Sequence, residues 1–263
     1  MTHPILIRAD EGAIATLTLN RPESLNALSA AMIGALTGQF EALMQDTATR
    51  VVILKAAGAA FCAGHDLKEM TAGRQAEDGG HACFRDLFAR CAAMMEMIPQ
   101  LPQPVIAQVH GLATAAGCQL VATCDMAVAD RDTKFGVNGI NIGLFCSTPM
   151  VALSRNIPRK HGFEMLTTGR FMPAEEARTA GLINRVTAPG ALSAETRALA
   201  ELIARKPGSA VKIGKRAYYE QMTMPLDRAY AYTGAVMAEN MMHRDTKEGI
   251  AAFLEKRDPD WQQ

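Results

Sequence analysis

The chain has 263 residues, and its 27 Lys plus Arg balance 27 Asp plus Glu, so the formal net charge is zero. That balance excludes the overall basic excess that draws proteins to nucleic acid or anionic membranes. The length predicts one large domain, or one with a small appendage, at about 100–200 residues per domain.

No apolar run reaches the roughly 18 residues of a membrane-spanning helix. Met1-Thr2-His3-Pro4-Ile5 lacks the charged and apolar regions of a secretory signal, so a cytoplasmic location is expected. Ala15, Leu17 and Leu19 then alternate with Thr16 and Thr18, the period of a strand with one polar face, and Asn20-Arg21-Pro22 ends it. Met32, Ile33, Leu36, Phe40, Leu43 and Met44 recur at helical spacing behind Ser29, a residue type that caps helix starts. Residues 51–54 and 105–109 are continuous apolar runs expected as strands, and 125–129 is another. Residues 81–97 predict a helix, with Pro99, Pro102 and Pro104 stopping it. Short strands alternating with helices indicate an α/β fold.

From about Thr148 the pattern is mostly helical. Pro173-Ala174-Glu175-Glu176 starts one helix and Gly181 ends it. Further helices are expected over 191–204, 209–221 and 226–242, with a last helical segment over 249–257. Leu226, Tyr230, Met237 and Met241 share one face, so the Met-rich tail reads as helix packing, within the chain or on another subunit, rather than as a cofactor site. The six cysteines, Cys62, Cys83, Cys91, Cys118, Cys124 and Cys146, form neither a CxxC pair nor a Cys/His metal spacing. They are expected as buried, reduced thiols, and no metal site is expected.

Two small-residue turns carry the functional signal. The first is Phe61-Cys62-Ala63-Gly64-His65-Asp66-Leu67, and the second runs from His110-Gly111 through Ala115-Ala116-Gly117-Cys118-Gln119. Each follows a strand-like run and leads into a helix-compatible stretch. N–H groups at a helix start are unpaired and carry partial positive charge, so two such turns side by side would offer two donors to one developing oxyanion. Small residues let a ligand approach the backbone.

The chain resembles the enoyl-CoA hydratase/isomerase (crotonase) superfamily over nearly its full length. The resemblance rests on Leu19-Asn20-Arg21-Pro22 with Leu25-Asn26-Ala27-Leu28, on 60–70, on 111–125, on Leu166-Thr167-Thr168-Gly169-Arg170 with 174–182, and on Phe253-Leu254-Glu255-Lys256-Arg257. It implies an α/β spiral of ββα turns over residues 1–195, holding an acyl-CoA site. A helical region over 196–263 would build a homotrimer or a dimer of trimers. It also implies that the thioester oxygen accepts from the backbone N–H groups of His65 and Ala116. Ser24, Asn26, Asp66, Leu67 and Lys68 would line the coenzyme A path, with Phe253 and Lys256, in some members from a neighbouring subunit, closing over the nucleotide. Coenzyme A would arrive as part of the substrate, with no separate cofactor.

Enoyl-CoA hydratases of this family use two glutamates as base and acid. The resemblance puts Gln119 and Gly139 at those positions, so both carboxylates are absent. Glu69, Asp86 and Glu96 are the candidate substitutes, although Asp66 reads as a helix-start residue and His110 as structural. Cys146 and Ser147 are candidate pocket residues, the thiol without a visible His partner. Gly139 together with Gly143-Leu144-Phe145-Cys146-Ser147-Thr148-Pro149 looks like the enoyl-CoA hydratase domain-containing protein 3 branch. Three readings follow from this pattern: an enoyl-CoA hydratase-type lyase, a decarboxylase of a malonyl-type CoA, and a non-catalytic acyl-CoA-binding protein.

Overall fold

The protein's computed structural model describes residues 4–261, so the first three residues of the N-terminal segment lie outside the described residues. The strands are β1 (Leu6–Glu11), β2 (Ile14–Leu19), β3 (Val51–Ala56), β4 (Val105–Val109), β5 (Leu112–Thr114), β6 (Met126–Asp130), β7 (Lys134–Gly136), β8 (Phe171–Pro173) and β9 (Arg185–Thr187). A six-stranded sheet has the order β1-β2-β3-β4-β6-β9, and a three-stranded sheet the order β5-β7-β8. In the large sheet β1 and β2 are antiparallel and every later pairing is parallel. Parallel strands end on the same edge, so the chain leaving β3 and the chain leaving β4 emerge side by side, as ligand-binding turns of open α/β sheets do.

The helices are α1 (Ala30–Gln45), α2 (Leu67–Gly73), α3 (His81–Gln100), α4 (Ala116–Thr123), α5 (Pro149–Asn156), α6 (Arg159–Thr168), α7 (Ala174–Ala180), α8 (Leu192–Ala204), α9 (Gly208–Gln221), α10 (Leu226–Met242) and α11 (Arg244–Glu255). The continuous apolar run of β3 reflects burial on both faces. Val52 and Leu54 join the main core with Leu36 and Phe40 of α1 and Met94 and Ile98 of α3. Val51 and Ile53 pack instead with Leu192, Leu199 and Ala200 of α8. The division expected between 195 and 196 thus falls inside α8, whose Leu199 and Ala200 still pack on the sheet.

Ser29 caps α1, its hydroxyl accepting from the Met32 N–H at 3.1 Å. The helix over 81–97 continues to Gln100 with Pro99 inside its last turn; only from Leu101 does the chain leave it. The strand expected at 125–129 runs instead over Met126–Asp130, because the Asp125 carboxylate is turned to the Val105 N–H at 2.6 Å. β1 and the three short strands of the second sheet carry too little periodicity to be seen in the sequence.

A buried ion pair ties α9 to this core. Lys215 Nζ donates to Asp125 Oδ2 at 2.7 Å and to the Ile98 and Gln103 carbonyls at 2.8 and 2.9 Å, and the Tyr219 hydroxyl donates to Asp125 Oδ1 at 2.8 Å. The α10 face behaves differently: Leu226, Tyr230, Met237 and Met241 are all at least half exposed. Packing within the chain does not cover the Met-rich tail. Five cysteines are buried and Cys83 is exposed, which corrects the expectation that all six are buried.

Candidate functional site

The first turn, between β3 and α2, is held by the segment that precedes α1. Asn26 is fully buried; its Oδ1 accepts from the Arg21 N–H and its Nδ2 donates to the Ala57 and Ala60 carbonyls, all at 2.8 Å. The Ala63 N–H donates to Leu25 O at 3.0 Å and the Leu28 N–H to Gly64 O at 2.7 Å. Leu25 and Asn26 both take the left-handed conformation, with φ of 50° and 53°. Asn tolerates that region through local hydrogen bonding. The turn closes on Asp66, whose carboxylate accepts from the Lys68 and Glu69 N–H groups and so caps α2.

The second turn lies directly against the first. Cys62 bridges Ala113: the Cys62 N–H donates to Leu112 O at 3.1 Å and the Thr114 N–H to Cys62 O at 3.0 Å. Two glycines make this approach possible. A Cβ on Gly117 would overlap the Cys62 carbonyl, and one on Gly64, already at φ +94°, would lie 2.9 Å from Ala115 Cβ and 3.5 Å from the Ala116 nitrogen. Ala115 takes φ 49° and ψ −120°, a strained conformation for a residue with a side chain, and its N–H donates to Gly136 O at 2.9 Å. α4 starts at the next residue without a side-chain cap. Among the described residues, neither the His65 N–H nor the Ala116 N–H has a hydrogen-bond partner.

Two side chains beside these donors also carry unpaired polar atoms. Gln119 is 6% exposed and its Oε1 is buried with no partner. His65 Nε2 is buried and unpartnered too, while Nδ1 lies 3.4 Å from Leu28 O and the ring meets Phe88 edge-on at 5.5 Å. Burial lowers the imidazole pKa below its ordinary 6.5, so the ring is neutral at neutral pH.

Gly139 is buried, and the chain has closed over it. A Cβ there would overlap Leu144 O and come within 2.9 Å of Cys146 Sγ. The Leu144 N–H donates to Gly139 O at 3.0 Å. Beside it Asn138 Oδ1 accepts from the Thr114 hydroxyl at 2.5 Å, tying this segment to the second turn. Burial pushes the Cys62 and Cys118 thiols up to about 12 and raises Cys146 as well, which disfavours the thiolate that a nucleophile needs.

The candidate replacement carboxylates are elsewhere or otherwise engaged. Glu69 accepts from the Ala30 N–H at 2.8 Å and so caps α1. Asp86 pairs with Arg90 at 2.6 Å and its side chain is 61% exposed. Glu96 is exposed on α3. His110 is structural, its Nε2 lying 2.8 Å from Gly58 O. Ser147 Oγ turns back to Phe145 O.

Of the expected coenzyme A contacts, Ser24, Asn26, Asp66, Leu67 and Lys68 lie along the first turn. Ser24 Oγ donates to Arg21 O, the Asn26 side chain points inward, and Leu67 and Lys68 are exposed. Phe253 and Lys256 are not brought to the turns by any hydrogen bond or ion pair of the described residues. Phe253, 82% exposed, lines a hollow of about 500 Å³ with Ile250, Leu254 and Trp261. The Gly139 closure, the Thr114–Asn138 bond and the Lys215–Asp125 pair have no signature in residue spacing and emerge only from the structure.

The enoyl-CoA hydratase/isomerase family pattern matches residues 9–263. The chain is 43% identical over 258 residues to the mitochondrial enoyl-CoA hydratase domain-containing protein 3 of Xenopus laevis, covering 98% of this chain and 86% of that protein. A crystal structure of enoyl-CoA hydratase from Mycobacterium smegmatis superposes with a TM-score of 0.95 at 53% identity, covering 99% of this chain and 100% of that one. The crystal structure of human enoyl coenzyme A hydratase domain-containing protein 3 gives 0.93 at 41% identity, covering 98% and 100%. The frog relative is mitochondrial by name, which lends no support to a cytoplasmic location; no helix among the described residues is long and apolar enough to cross a membrane. Two interlocked turns on a parallel sheet and near-complete agreement with these relatives lead to one conclusion: the chain has the crotonase fold and belongs to the enoyl-CoA hydratase/isomerase family, beside the enoyl-CoA hydratase domain-containing protein 3 members.

Proposed function

We propose that this chain binds the thioester of an acyl-CoA and polarises it with the backbone N–H groups of His65 and Ala116, as a lyase of the enoyl-CoA hydratase class. The observation that carries this reading is the interlocked pair of turns, whose two neighbouring N–H groups have no partner of their own. A thioester oxygen is a weak acceptor until it becomes enolate-like, so fixed donors favour the transition state over the ground state. Losing one such donor in other enzymes costs about 2.7–4 kcal/mol.

Ser24, the Asn26 backbone, Asp66, Leu67 and Lys68 border the coenzyme A path in this reading. Phe253 and Lys256 reach it from a neighbouring subunit, with the exposed α10 face taken up in a homotrimer or a dimer of trimers. Coenzyme A is part of the substrate, and the reaction uses no separate cofactor.

The proton-transfer part differs from that of a two-glutamate hydratase. Gln119 has no group that titrates near neutral pH, Gly139 has no side chain, and Glu69 and Asp66 are engaged as helix caps. Hydration is therefore carried by thioester polarisation and is slow. Crotonyl-CoA and longer enoyl-CoAs, followed by loss of the conjugated-thioester absorbance, test this. No loss at any chain length removes the hydratase reading.

The engagement of Asp66 and Glu69, the carboxylates beside the first turn, as helix caps favours a second reading, decarboxylation of a malonyl-type CoA. Loss of CO₂ breaks the C–C bond and delivers the enolate directly without a base; the two oxyanion donors hold that enolate until a proton from solvent water completes the acyl-CoA. Carbon dioxide release from malonyl-, methylmalonyl- and ethylmalonyl-CoA checks it. An acyl-CoA panel read by mass spectrometry separates both reactions from binding without turnover.

A further inference from the structure

Four non-glycine residues of the described chain take a positive φ. Leu25, Asn26 and Ala115 belong to the paired turns, and the fourth is Lys256, at φ 56° just past α11. Glycine is the residue suited to that helix-ending position, so a lysine is held there against its own preference.

What holds it is the chain end, which doubles back along α11. Arg257 donates to Glu248 through both terminal nitrogens, Nη1 to Oε1 at 2.6 Å and Nη2 to Oε2 at 3.0 Å, and its Nε donates to Glu255 Oε2 at 2.6 Å. The Asp260 N–H donates to the same Glu248 Oε1 at 2.8 Å, and Arg244 Nη1 to the Asp260 carbonyl at 3.3 Å. The Trp261 ring lies over Gly249 so closely that a Cβ there would stand 2.9 Å from its Cη2. Single exposed ion pairs stabilise little, but a bidentate pair within a network fixes geometry. The Arg257 guanidinium and the Asp260 N–H push the Glu248 carboxyl down to about 2, so the clasp stays charged at neutral pH. Lys256 stands apart from it. Its exposed side chain has no hydrogen bond or ion pair among the described residues. Arg257 occupies both Glu248 and Glu255, so neither carboxylate takes up the lysine amine.

We propose that Glu248, Arg257 and Trp261 are positioning residues: they clasp the chain end to α11 and hold the Lys256 amine where it meets the nucleotide phosphates of coenzyme A. This rests on the reading of Lys256 given above. A lysine on a loose tail gives up conformational freedom when it binds, and one already fixed in a left-handed turn gives up less.

The test is calorimetric titration of the full chain with butyryl-CoA and with S-butyryl-pantetheine, which lacks the nucleotide and its phosphates. Glu248→Gln removes a negative charge, so bulk electrostatics alone would tighten the anionic butyryl-CoA, whereas loss of the clasp weakens it. The expected result is weakening of butyryl-CoA by about threefold or more for Glu248→Gln and for the charge-neutral Trp261→Ala, with S-butyryl-pantetheine unchanged. Lys256→Gly suits the left-handed turn and removes the amine. It lowers butyryl-CoA affinity, and adding Glu248→Gln to it lowers the affinity no further. Unchanged or tighter butyryl-CoA binding by Glu248→Gln overturns the proposal. So does equal weakening of both esters, or a Glu248→Gln loss that persists on the Lys256→Gly background. A loss that accompanies a smaller assembly on gel filtration overturns it too, because the clasp then serves packing between subunits. If neither ester binds the unaltered chain, the thioester reading fails; if both bind equally, only the role of Lys256 fails. The proposal falls with either.

Discussion

The paired turns and the adjoining 137–146 segment lie against each other, joined by the Ala115–Gly136 and Thr114–Asn138 hydrogen bonds, yet they are built on opposite principles. The turns present backbone. Their donors are N–H groups, and their side chains are small so that two stretches of chain can touch. The 137–146 segment has no side chain at Gly139, and Leu144 O and Cys146 fill the space beside it. A site made of backbone survives side-chain substitution so long as its glycines stay. A site made of side chains loses its chemistry with a single replacement. Binding and proton transfer can therefore separate: the paired turns keep their free N–H groups, while position 119 carries an amide and position 139 has no side chain.

The largest expected effect on this contrast comes from below the turns. Asp125 follows α4 and holds both the start of β4 and Lys215. Lys215→Ala strands a buried carboxylate, and such losses cost about 3–5 kcal/mol. Urea unfolding checks it, and a midpoint unchanged within error would show that α9 does not anchor the second turn. Next comes the interlock itself. Gly117→Ala drives a methyl into the Cys62 carbonyl and forces the turns apart, at about 1–3 kcal/mol for overpacking. Acyl-CoA binding should fall more than stability does, because both donors must stay in register; titration beside unfolding measures the two losses.

Gly139→Glu probes the other side of the comparison. The added side chain meets Leu144 O, so the variant is destabilised by about 1–3 kcal/mol and gains no enoyl-CoA hydration. A gain in the absorbance assay would mean that the 144–146 closure yields easily to a larger side chain. Asp66→Ala removes the α2 cap at about 0.5–2 kcal/mol. If Asp66 is only a cap, Asp66→Asn should recover most of that stability in the same thermal melts.

The smallest effect is on pH dependence. Burial depresses the folded-state pKa of His65, so below pH 6.5 the unfolded chain binds more protons than the folded one. That contribution lowers stability as pH falls through the window beneath 6.5 and vanishes above it, where the ring is neutral in both states. His65→Phe should flatten the drop in unfolding midpoint between pH 7 and pH 5.5 relative to the unaltered chain. Identical slopes would show that the imidazole is not desolvated.

Much of this molecule is legible in its residues, and what is hidden has specific causes. Ser29 announces the start of α1 because a hydroxyl before an apolar helical stripe has one economical use, pairing a free N–H. The 51–54 run announces a doubly buried strand, and the two small-residue turns announce close backbone approach. Pro99 misleads: it reads as a stop, yet the helix runs one residue past it to Gln100. Glu69 has a partner that spacing hides: its distance in sequence from Ala30 conceals that its Oε2 accepts from the Ala30 N–H. Phe253 and the α10 face show that the single chain leaves apolar surface uncovered where the sequence pattern suggests packing.

By itself the sequence indicated the main strands and helices, the two turns, the family and the presence of Gln119 and Gly139, because each of these is written in local spacing and residue identity. Only the tertiary structure decided that Gly64 and Gly117 lock the turns together and that Leu144 and Cys146 close over Gly139. It alone buried Lys215 against Asp125 and left the Gln119 amide without a donor. Those facts depend on which distant atoms come within a few ångströms of one another, and chain spacing does not encode such distances.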